Sequence, residues 1–480
     1  MKIALISLNQ DAADPPLGLA YLTSYLKKYS DIKDIAIIDK DDILTEVKKG
    51  KFSIIGITAM TTEFKAANEL AKRIRKISSA PLLLGGVHIT LMPHHLKESE
   101  FDIGVVGEGE QTFLELCSLF KRKKKLDETE LKHIHGLVFK SNGGLAHTPK
   151  RDLIKDLDTI PYPDRESLKM KQIYLLPQVK AGLDNIGIFT TMFTSRGCPY
   201  NCSFCSSSDF WEKRVRFNSP EYVVGEIELL VNKYKVEGIH ILDDLFIADK
   251  RRVKEITGLL EKKGLNKKVK FSMLLRSNLV TEDLLQDLKR MNVTHIGFGF
   301  ESGSPRVLKQ IKGGVISVED HKRAIALCKK HGFTVSGSFL LGCPHETKED
   351  MEMTIRFIRQ NPLDQMNVNQ LIPMPRTKIW EYAKYEGLVN DSFDFAINNL
   401  SKLFVHQYNP NLILSKEVTE KEFHSIFFKA QDIVKSAKVR NFSFRLKYLK
   451  YLKNPRFVIK VLKRWKRILF MLGIKKSDLA

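Results

Sequence analysis

Long apolar runs are absent from this chain of 480 residues, and cysteines are few. No apolar run reaches the roughly 18 residues that a membrane-spanning helix needs, and the first strand pattern leads into charged residues rather than a signal-peptide cleavage site. Only six cysteines occur, and three of them fall within eight positions, which excludes the evenly used framework of a secreted disulfide protein. The sequence therefore predicts a cytoplasmic protein whose clustered cysteines bind a metal.

Acidic residues are absent from a long segment near the carboxyl end. Residues 436–477 contain 14 Lys or Arg and no Asp or Glu, and they supply most of the formal charge of +22. Such a segment can meet the phosphates of lipid or of nucleic acid. Within it, residues 457–472 alternate apolar and basic side chains at helical spacing, which predicts an amphipathic helix on an anionic membrane surface. The alternative is that the apolar stripe packs on the rest of the protein.

Short apolar runs alternate with helical patterns up to about residue 120. Strands are predicted at 2–8, 34–39, 52–59, 81–85 and 102–106, with helices near 18–29, 63–77 and 110–120. This alternation predicts a doubly wound, Rossmann-like parallel sheet over residues 1–125. Ligands of such sheets lie beyond the carboxyl ends of the strands, where glycines let the backbone approach a bulky ligand. The residues at these strand ends are Pro16, Gly18, Thr58, Gly85, Gly86, His88, Gly107 and Glu108.

A second alternation follows a segment at 126–187 that is rich in Lys, Asp and Pro and is predicted to be a linker. Strands are predicted near 188–195, 238–243, 269–276, 294–300, 333–341 and 366–372, with helical segments between them. Six β/α units predict an open, partial (β/α)6 barrel at 188–388. From 389 to 480 the periodicity is helical and ends in the basic tail.

Three cysteines directly follow the first predicted barrel strand, in the order Cys198-Pro-Tyr-Asn-Cys202-Ser-Phe-Cys205. They converge on the carboxyl end of a parallel sheet, where barrel enzymes build their active sites. Three thiolates on a cubane iron–sulfur cluster leave one iron open to bind a substrate or cofactor. The alternatives are a zinc site with a fourth ligand elsewhere, or buried structural cysteines. The remaining cysteines fall in helix or strand patterns and are predicted to be core residues: Cys117, Cys328 and Cys343.

The spacing of these cysteines, with Phe204 before the last, resembles the CxxxCxxC signature of the radical S-adenosylmethionine (SAM) superfamily. The resemblance implies a [4Fe-4S] cluster whose open iron chelates SAM. One electron then cleaves SAM to methionine and a 5′-deoxyadenosyl radical that abstracts a substrate hydrogen. An electron donor such as flavodoxin or ferredoxin is also implied. Between residues 188 and about 385, further strand ends match the family's SAM-binding elements: Asp243, Asp244, Arg276, Asn278, Glu301, Ser302, Gly342 and Pro344.

The N-terminal motifs at 15–22, 84–90 and 105–112 are similar to the cobalamin-binding domain that precedes many radical SAM cores. Cobalamin methyltransferases that replace the lower cobalt ligand usually carry a histidine after the first strand, and residues 9–18 contain none. We therefore expect no cobalt ligand from that loop, and we expect His88 to hydrogen-bond near the ligand. The alternative is a nucleotide-type fold that has lost its ligand.

Together these resemblances imply a cobalamin-dependent radical SAM methyltransferase that acts on an unactivated carbon of a lipid or other small molecule. A cyclase or oxidoreductase that uses the same parts is one alternative. Another is an RNA-modifying methylthiotransferase, but such enzymes carry a second three-cysteine cluster in the N-terminal domain, where this chain has only Cys117. Nucleic acid is therefore not the expected partner. A non-catalytic membrane-binding protein would have no need of the cysteine loop.

Overall fold

The computed structural model describes residues 1–8, 14–39, 42–142, 144–170, 174–175, 187–361, 363–400 and 408–440. The amphipathic helix predicted at 457–472 lies outside these residues, as does most of the basic segment. Among the helices that are described, none is both long enough and apolar enough to cross a membrane.

The N-terminal sheet has seven strands in the spatial order β2-β1-β3-β4-β5-β6-β7. Its first five strands are parallel, and β1 lies between β2 and β3, so the chain reverses its direction of winding beside β1. This confirms the predicted doubly wound sheet. The strands are β1 (Ile3–Ser7), β2 (Ile35–Ile38), β3 (Ile54–Thr58), β4 (Leu82–Gly85), β5 (Ile103–Val105), β6 (Leu137–Ser141) and β7 (Gly144–His147).

Helices cover both faces of this sheet, because its central strands are apolar on both sides; all five residues of β1 are buried. The three predicted helices are present, and α2, α4 and α6 are short additional ones. The helices are α1 (Leu17–Tyr29), α2 (Ile43–Gly50), α3 (Phe64–Arg75), α4 (Val87–Leu91), α5 (Gly109–Lys123) and α6 (Glu128–Leu131).

The segment predicted to be a linker contributes to the N-terminal sheet. Strand β6 pairs antiparallel with β5, and β7 pairs antiparallel with β6, so a hairpin extends the sheet at one edge. Leu137, Val138 and Phe139 are buried there. The interpretation of this stretch as a connector was wrong for residues 137–147, because its many polar residues masked a three-residue apolar run.

The second sheet has six parallel strands in the order β15-β14-β13-β12-β11-β8, which is also their order along the chain. It forms the predicted partial barrel. A separate antiparallel pair, β9 with β10, brackets residues 197–215, which we call the cluster loop. The strands are β8 (Phe189–Met192), β9 (Ser195–Arg196), β10 (Arg216–Phe217), β11 (Gly238–Ile241), β12 (Lys270–Leu275), β13 (Val293–Glu301), β14 (Thr334–Leu341) and β15 (Gln365–Gln370).

Each pair of successive barrel strands is joined by at least one helix, several of which begin at a Ser, Thr or Asp whose side chain accepts a backbone hydrogen bond. The cluster loop contains the short helix α7 (Ser207–Phe210). The others are α8 (Pro220–Tyr234), α9 (Lys250–Lys262), α10 (Glu282–Arg290), α11 (Pro305–Lys312), α12 (Val318–Lys330) and α13 (Lys348–Gln360).

After the barrel come α14 (Lys378–Tyr385), α15 (Phe393–Phe395) and the long α16 (Glu420–Arg440). Helix α16 packs along the edge strand β15, where Gln431 donates a hydrogen bond to the Val368 carbonyl at 2.6 Å. Residues 408–419 between α15 and α16 are largely non-helical, so the predicted helical C-terminal region is interrupted there.

Candidate active site

A cavity of about 330 Å³ lies between the carboxyl ends of the N-terminal strands and the start of the cluster loop. We call it the central cavity. Six of the residues predicted to contact cobalamin line its N-terminal wall: Gly18, Thr58, Gly85, Gly86, Gly107 and Glu108. The opposite wall comes from the barrel domain and includes one residue predicted to contact SAM, Asp244: its members are Phe193, Ser195, Arg196, Phe210, Trp211, Leu242 and Asp244.

Glycines shape the N-terminal wall. A Cβ atom added at Gly18, Gly85 or Gly107 would meet no atom within 4 Å, so at these positions the side chain is missing from the cavity itself. Gly107 also has a φ of +81°, a left-handed conformation that favours glycine. The wall therefore offers bare backbone over a wide area, which fits a large ligand such as cobalamin.

Two predicted residues, Pro16 and His88, are not on the cavity wall. Pro16 precedes α1, whereas His88 is fully buried within α4 and stacks on Phe64 with 3.8 Å between ring centroids. The Nε2 atom of His88 lies 3.1 Å from Nδ1 of His95, whose Nε2 lies 2.9 Å from the Asp391 carbonyl. Burial lowers the pKa of His88 well below its usual value. The imidazole thus joins the N-terminal domain to the segment after α14.

The backbone of the cluster loop is tightly constrained. Gly197 precedes the first cysteine with a φ of +100°, and a Cβ there would collide with the Arg214 carbonyl. Farther along, the Ser203 N–H donates to the Ile311 carbonyl at 2.9 Å, and the Ile379 N–H donates to the Ser203 carbonyl at 3.1 Å. Helices α11 and α14 therefore hold the loop between the second and third cysteines.

The three loop cysteines are partly buried. Burial raises the pKa of Cys198, and the negative charge of Asp244 raises it further. Burial raises the pKa of Cys205 to about 11, so iron binding has to release protons from this site. Within the described residues, no three His, Cys, Asp or Glu side chains are arranged to hold a single metal ion. The other cysteines are fully buried, as predicted for core residues: Cys117, Cys328 and Cys343.

Arg276 lies against the cluster loop. Its Nη1 atom is 3.7 Å from Sγ of Cys202, and its guanidinium carbon is 3.7 Å from the centre of the Tyr200 ring. Its Nε donates to Asn278 at 3.1 Å, while Nη2 is buried without a hydrogen-bond partner. A buried cationic N–H without a partner fits an anionic ligand beside the cysteines, such as a cluster with SAM.

The two aspartates after β11 have different surroundings. Asp243 is buried and accepts hydrogen bonds from the Thr194 N–H and the Ser195 hydroxyl, both at 2.6 Å, so it fixes the strand end before the cluster loop. Asp244 lines the central cavity and accepts from the Ser207 hydroxyl at 2.8 Å. Burial raises the pKa of both carboxyl groups. Of the two, Asp244 is the one placed to meet a ligand.

Glu301 lies at a β-bulge at the end of β13, where the pairing with β14 shifts register. Its φ of +66° is rare for a residue with a side chain. The carboxylate accepts from Lys312 at 3.1 Å, and the ammonium of Lys312 is 5.9 Å from the centre of the Phe204 ring. Lys312 of α11 therefore lies close to both Glu301 and Phe204, which are predicted SAM contacts.

The remaining predicted SAM residues make internal contacts. Ser302 is buried with its hydroxyl 3.2 Å from that of Thr354. The Gly342 N–H donates to Glu346 at 2.6 Å, and the Pro344 carbonyl accepts from Gln310 at 3.1 Å. The last two contacts hold the turn after β14, and the roles of Ser302, Gly342 and Pro344 in SAM binding stay predictions.

An ion-pair network that the sequence did not predict joins the two domains across the central cavity. Arg196 of β9 bridges Glu108 at 2.5 Å and Glu110 at 2.6 Å, and Arg216 of β10 holds the other oxygen of Glu108 at 2.8 Å. Glu108 also accepts from the Ile154 N–H at 2.8 Å. Both carboxylate oxygens of Glu108 are thus ion-paired with arginines of the barrel domain. In the sequence, the network is visible only as the Glu-Gly-Glu run at 108–110 and as an arginine two residues before the first cysteine. Neither pattern indicates which residues pair with each other.

Two family models match the chain. The model of the radical SAM superfamily matches residues 192–358, and the model of the B12 binding domain matches residues 1–117. An uncharacterized methyltransferase from Pyrococcus horikoshii is 36% identical over 404 residues, which cover 81% of this chain and 84% of that protein. The anaerobic magnesium-protoporphyrin IX monomethyl ester cyclase of Rubrivivax gelatinosus is 28% identical over 77% of this chain and 68% of that protein.

A solved structure shares the fold of this chain. It is the radical S-adenosylmethionine methyltransferase TsrM from Kitasatospora setae with tryptophan substrate and a SAM analog bound. The match has a TM-score of 0.66 at 20% sequence identity and covers 81% of this chain and 77% of that one. At this identity the similarity concerns the fold.

Proposed function

The chain belongs to the radical SAM superfamily and carries a B12 binding domain, and on that premise we propose that it methylates a carbon atom of a small molecule. The observation that carries the proposal is the central cavity. Its one wall is built from the glycine loops of the cobalamin domain, and its other wall includes Asp244 and residues of the cluster loop. A substrate there would lie between the cobalamin domain and the cluster loop.

The family's cofactors are a [4Fe-4S] cluster, SAM and cobalamin. When bound, the cluster supplies the electron that cleaves SAM, and cobalamin supplies the methyl group. We assign the cluster to Cys198, Cys202 and Cys205. Arg276 offers its unpartnered Nη2 to an anionic group beside them. Phe193, Phe210 and Trp211 give the barrel-side wall of the cavity an apolar, aromatic surface.

The names of the relatives support methyl transfer, but one of them also supports cyclisation as an alternative reaction. The Pyrococcus relative is named a methyltransferase, whereas the Rubrivivax relative is named a cyclase. The cyclase is similar over about the same share of this chain. Cyclisation is therefore the second candidate, and the products of SAM distinguish the two reactions.

The test uses anaerobically reconstituted protein with cobalamin, a reductant and SAM that carries a deuterated methyl group. Small-molecule and lipid extracts of cells that lack the gene provide the substrate. We expect S-adenosylhomocysteine and 5′-deoxyadenosine to form together, with a product that carries all three deuterium atoms. Formation of 5′-deoxyadenosine with an unlabelled product that has lost hydrogen would instead support the cyclase. A Cys202→Ala variant is the matched control and should form neither product.

A lipid substrate and contact with an anionic membrane surface are further parts of the proposal. They rest on the basic and apolar pattern at 457–472, which lies outside the described residues. Sedimentation with liposomes of increasing anionic lipid content, comparing the whole chain with one that ends at Ser436, tests this contact. Equal sedimentation of both forms at low salt would rule it out.

A further inference from the structure

A second cavity of about 190 Å³ adjoins the central cavity, and Gly107 and Phe210 line both. Its walls come from α4, from residues around the β6–β7 hairpin, from α7 and from the loop after β15. Three lining residues carry a fixed positive charge, Lys150, Arg151 and Arg376, against one negative charge from Asp209. The effective charge of the second cavity depends on which of these cations are already paired with carboxylates.

The three basic residues differ in their partners. Lys150 is paired with Glu212, and Arg151 is paired with Glu115 at 2.5 Å. Arg376 is exposed, and within the described part of the chain it has neither an ion-pair partner nor a hydrogen-bonded side chain. It also lines a shallow depression just outside, together with Ser208, Asp209, Glu212 and Lys213. Its charge is therefore available at the mouth of the second cavity.

Arg376 holds a backbone conformation in which an arginine is unfavourable. Its φ is +63°, where a Cβ atom is strained and glycine is the default residue. The next residue, Thr377, caps α14 by accepting from the Trp380 N–H at 3.0 Å, so the turn itself serves the start of the helix. Glycine would make the same turn without strain. The arginine therefore occupies a position that costs stability, and strained residues of this kind cluster at functional sites.

We propose that Arg376 binds an anionic group of the substrate, a carboxylate or a phosphate, at the mouth of the second cavity. The guanidinium presents a planar set of N–H donors that suits either group. This inference rests on the proposed function, because it concerns the substrate of the same site. It narrows the substrate class to small molecules that carry a negative charge away from the carbon that reacts. Asp209 on the same rim would disfavour a second negative charge.

The experiment measures binding by calorimetry to the cofactor-loaded protein at low salt, with phenyl phosphate, benzoate and neutral benzyl alcohol as probes. We expect the wild type to bind one or both anions more tightly than the alcohol. Arg376→Gly should lower the affinity for that anion about tenfold or more while raising the thermal midpoint, because glycine relieves the strain. Arg376→Lys should retain part of the affinity.

The double variant Lys150→Ala/Glu212→Gln is the matched control, because it removes a cation of the same cavity together with Glu212, the carboxylate that pairs with it and lies beside Arg376. It should change the affinity less than twofold. Equal anion affinity in the wild type and Arg376→Gly would overturn the proposal, as would a wild type that does not prefer either anion to the alcohol. The measurement needs no turnover. A failure of methyl transfer therefore refutes the proposed function separately from the role of Arg376.

Discussion

Replacing Arg196 by alanine removes the central member of the ion-pair network between the domains. Arg196 joins β9 to Glu108 and Glu110, which lie on the other side of the central cavity. The carboxylates are buried, with 3% and 7% of their side chains exposed. In the variant, Glu108 keeps Arg216 and the Ile154 N–H as partners, whereas Glu110 loses the cation that it pairs with.

The expected loss follows from the burial of Glu110. Removing one partner of a buried ion pair leaves an uncompensated charge and costs about 3–5 kcal/mol. Because Glu108 retains a partner, we expect the lower end of this range, about 3 kcal/mol, and a thermal midpoint lower by about 3 °C for a chain of this length. A second change, Glu110→Gln, removes the stranded charge and should recover part of the loss.

The assay combines thermal unfolding by near-ultraviolet circular dichroism with cobalamin retained after gel filtration. Arg290→Ala is the matched control, because Arg290 also bridges two carboxylates, Glu261 and Asp287, but its side chain is 48% exposed. Exposed pairs contribute little, so this variant should unfold as the wild type does. Since Glu108 lines the central cavity, Arg196→Ala should also retain less cobalamin, whereas Arg290→Ala should retain as much as the wild type. Equal thermal midpoints and equal cobalamin retention in Arg196→Ala and Arg290→Ala would refute the reasoning.

Three further predictions concern single groups. Cys202→Ala should lose both iron and SAM cleavage, and a variant with a full cluster and normal cleavage would contradict the assignment. Burial raises the pKa of Glu346 to about 8, so the folded protein binds a proton that the unfolded chain releases, and stability should fall from about pH 5 to pH 8. Glu346→Gln should flatten this decline by at most about 1.4 kcal/mol per pH unit in urea unfolding. Because residues 9–18 contain no histidine, electron paramagnetic resonance of bound cob(II)alamin should show no superhyperfine splitting from a histidine nitrogen, and such a splitting would contradict the prediction.

Much of the fold is predictable because the parallel strands are continuous apolar runs that end at glycine or a polar residue. Residues 54–58 and 82–85 are examples, and both are strands. Short elements are harder to predict from periodicity. Helix α4 has five residues and α11 has eight, which give too few turns for a helical repeat to stand out.

The site was predictable where chemistry is local in sequence and not where it depends on distant partners. The glycines at the strand ends line the central cavity because the carboxyl ends of parallel strands share one edge of the sheet. His88 follows the same loop, but α4 directs its ring inward, onto Phe64. The pairing of Arg196 with Glu108 and Glu110 spans more than 80 residues and two domains. No local pattern encodes such a contact.

The packing of α16 on β15 decides how far this protein can be shortened. An edge strand has one row of backbone N–H and carbonyl groups that no neighbouring strand pairs, and such a row can recruit a strand from another molecule. Here Gln431 reaches the Val368 carbonyl, and Phe423 and Phe427 bury the surface beside it. A chain cut before residue 420 would expose this edge together with its apolar surroundings. Trimming for crystallisation should therefore stop beyond α16, because shorter chains would aggregate rather than merely lose activity.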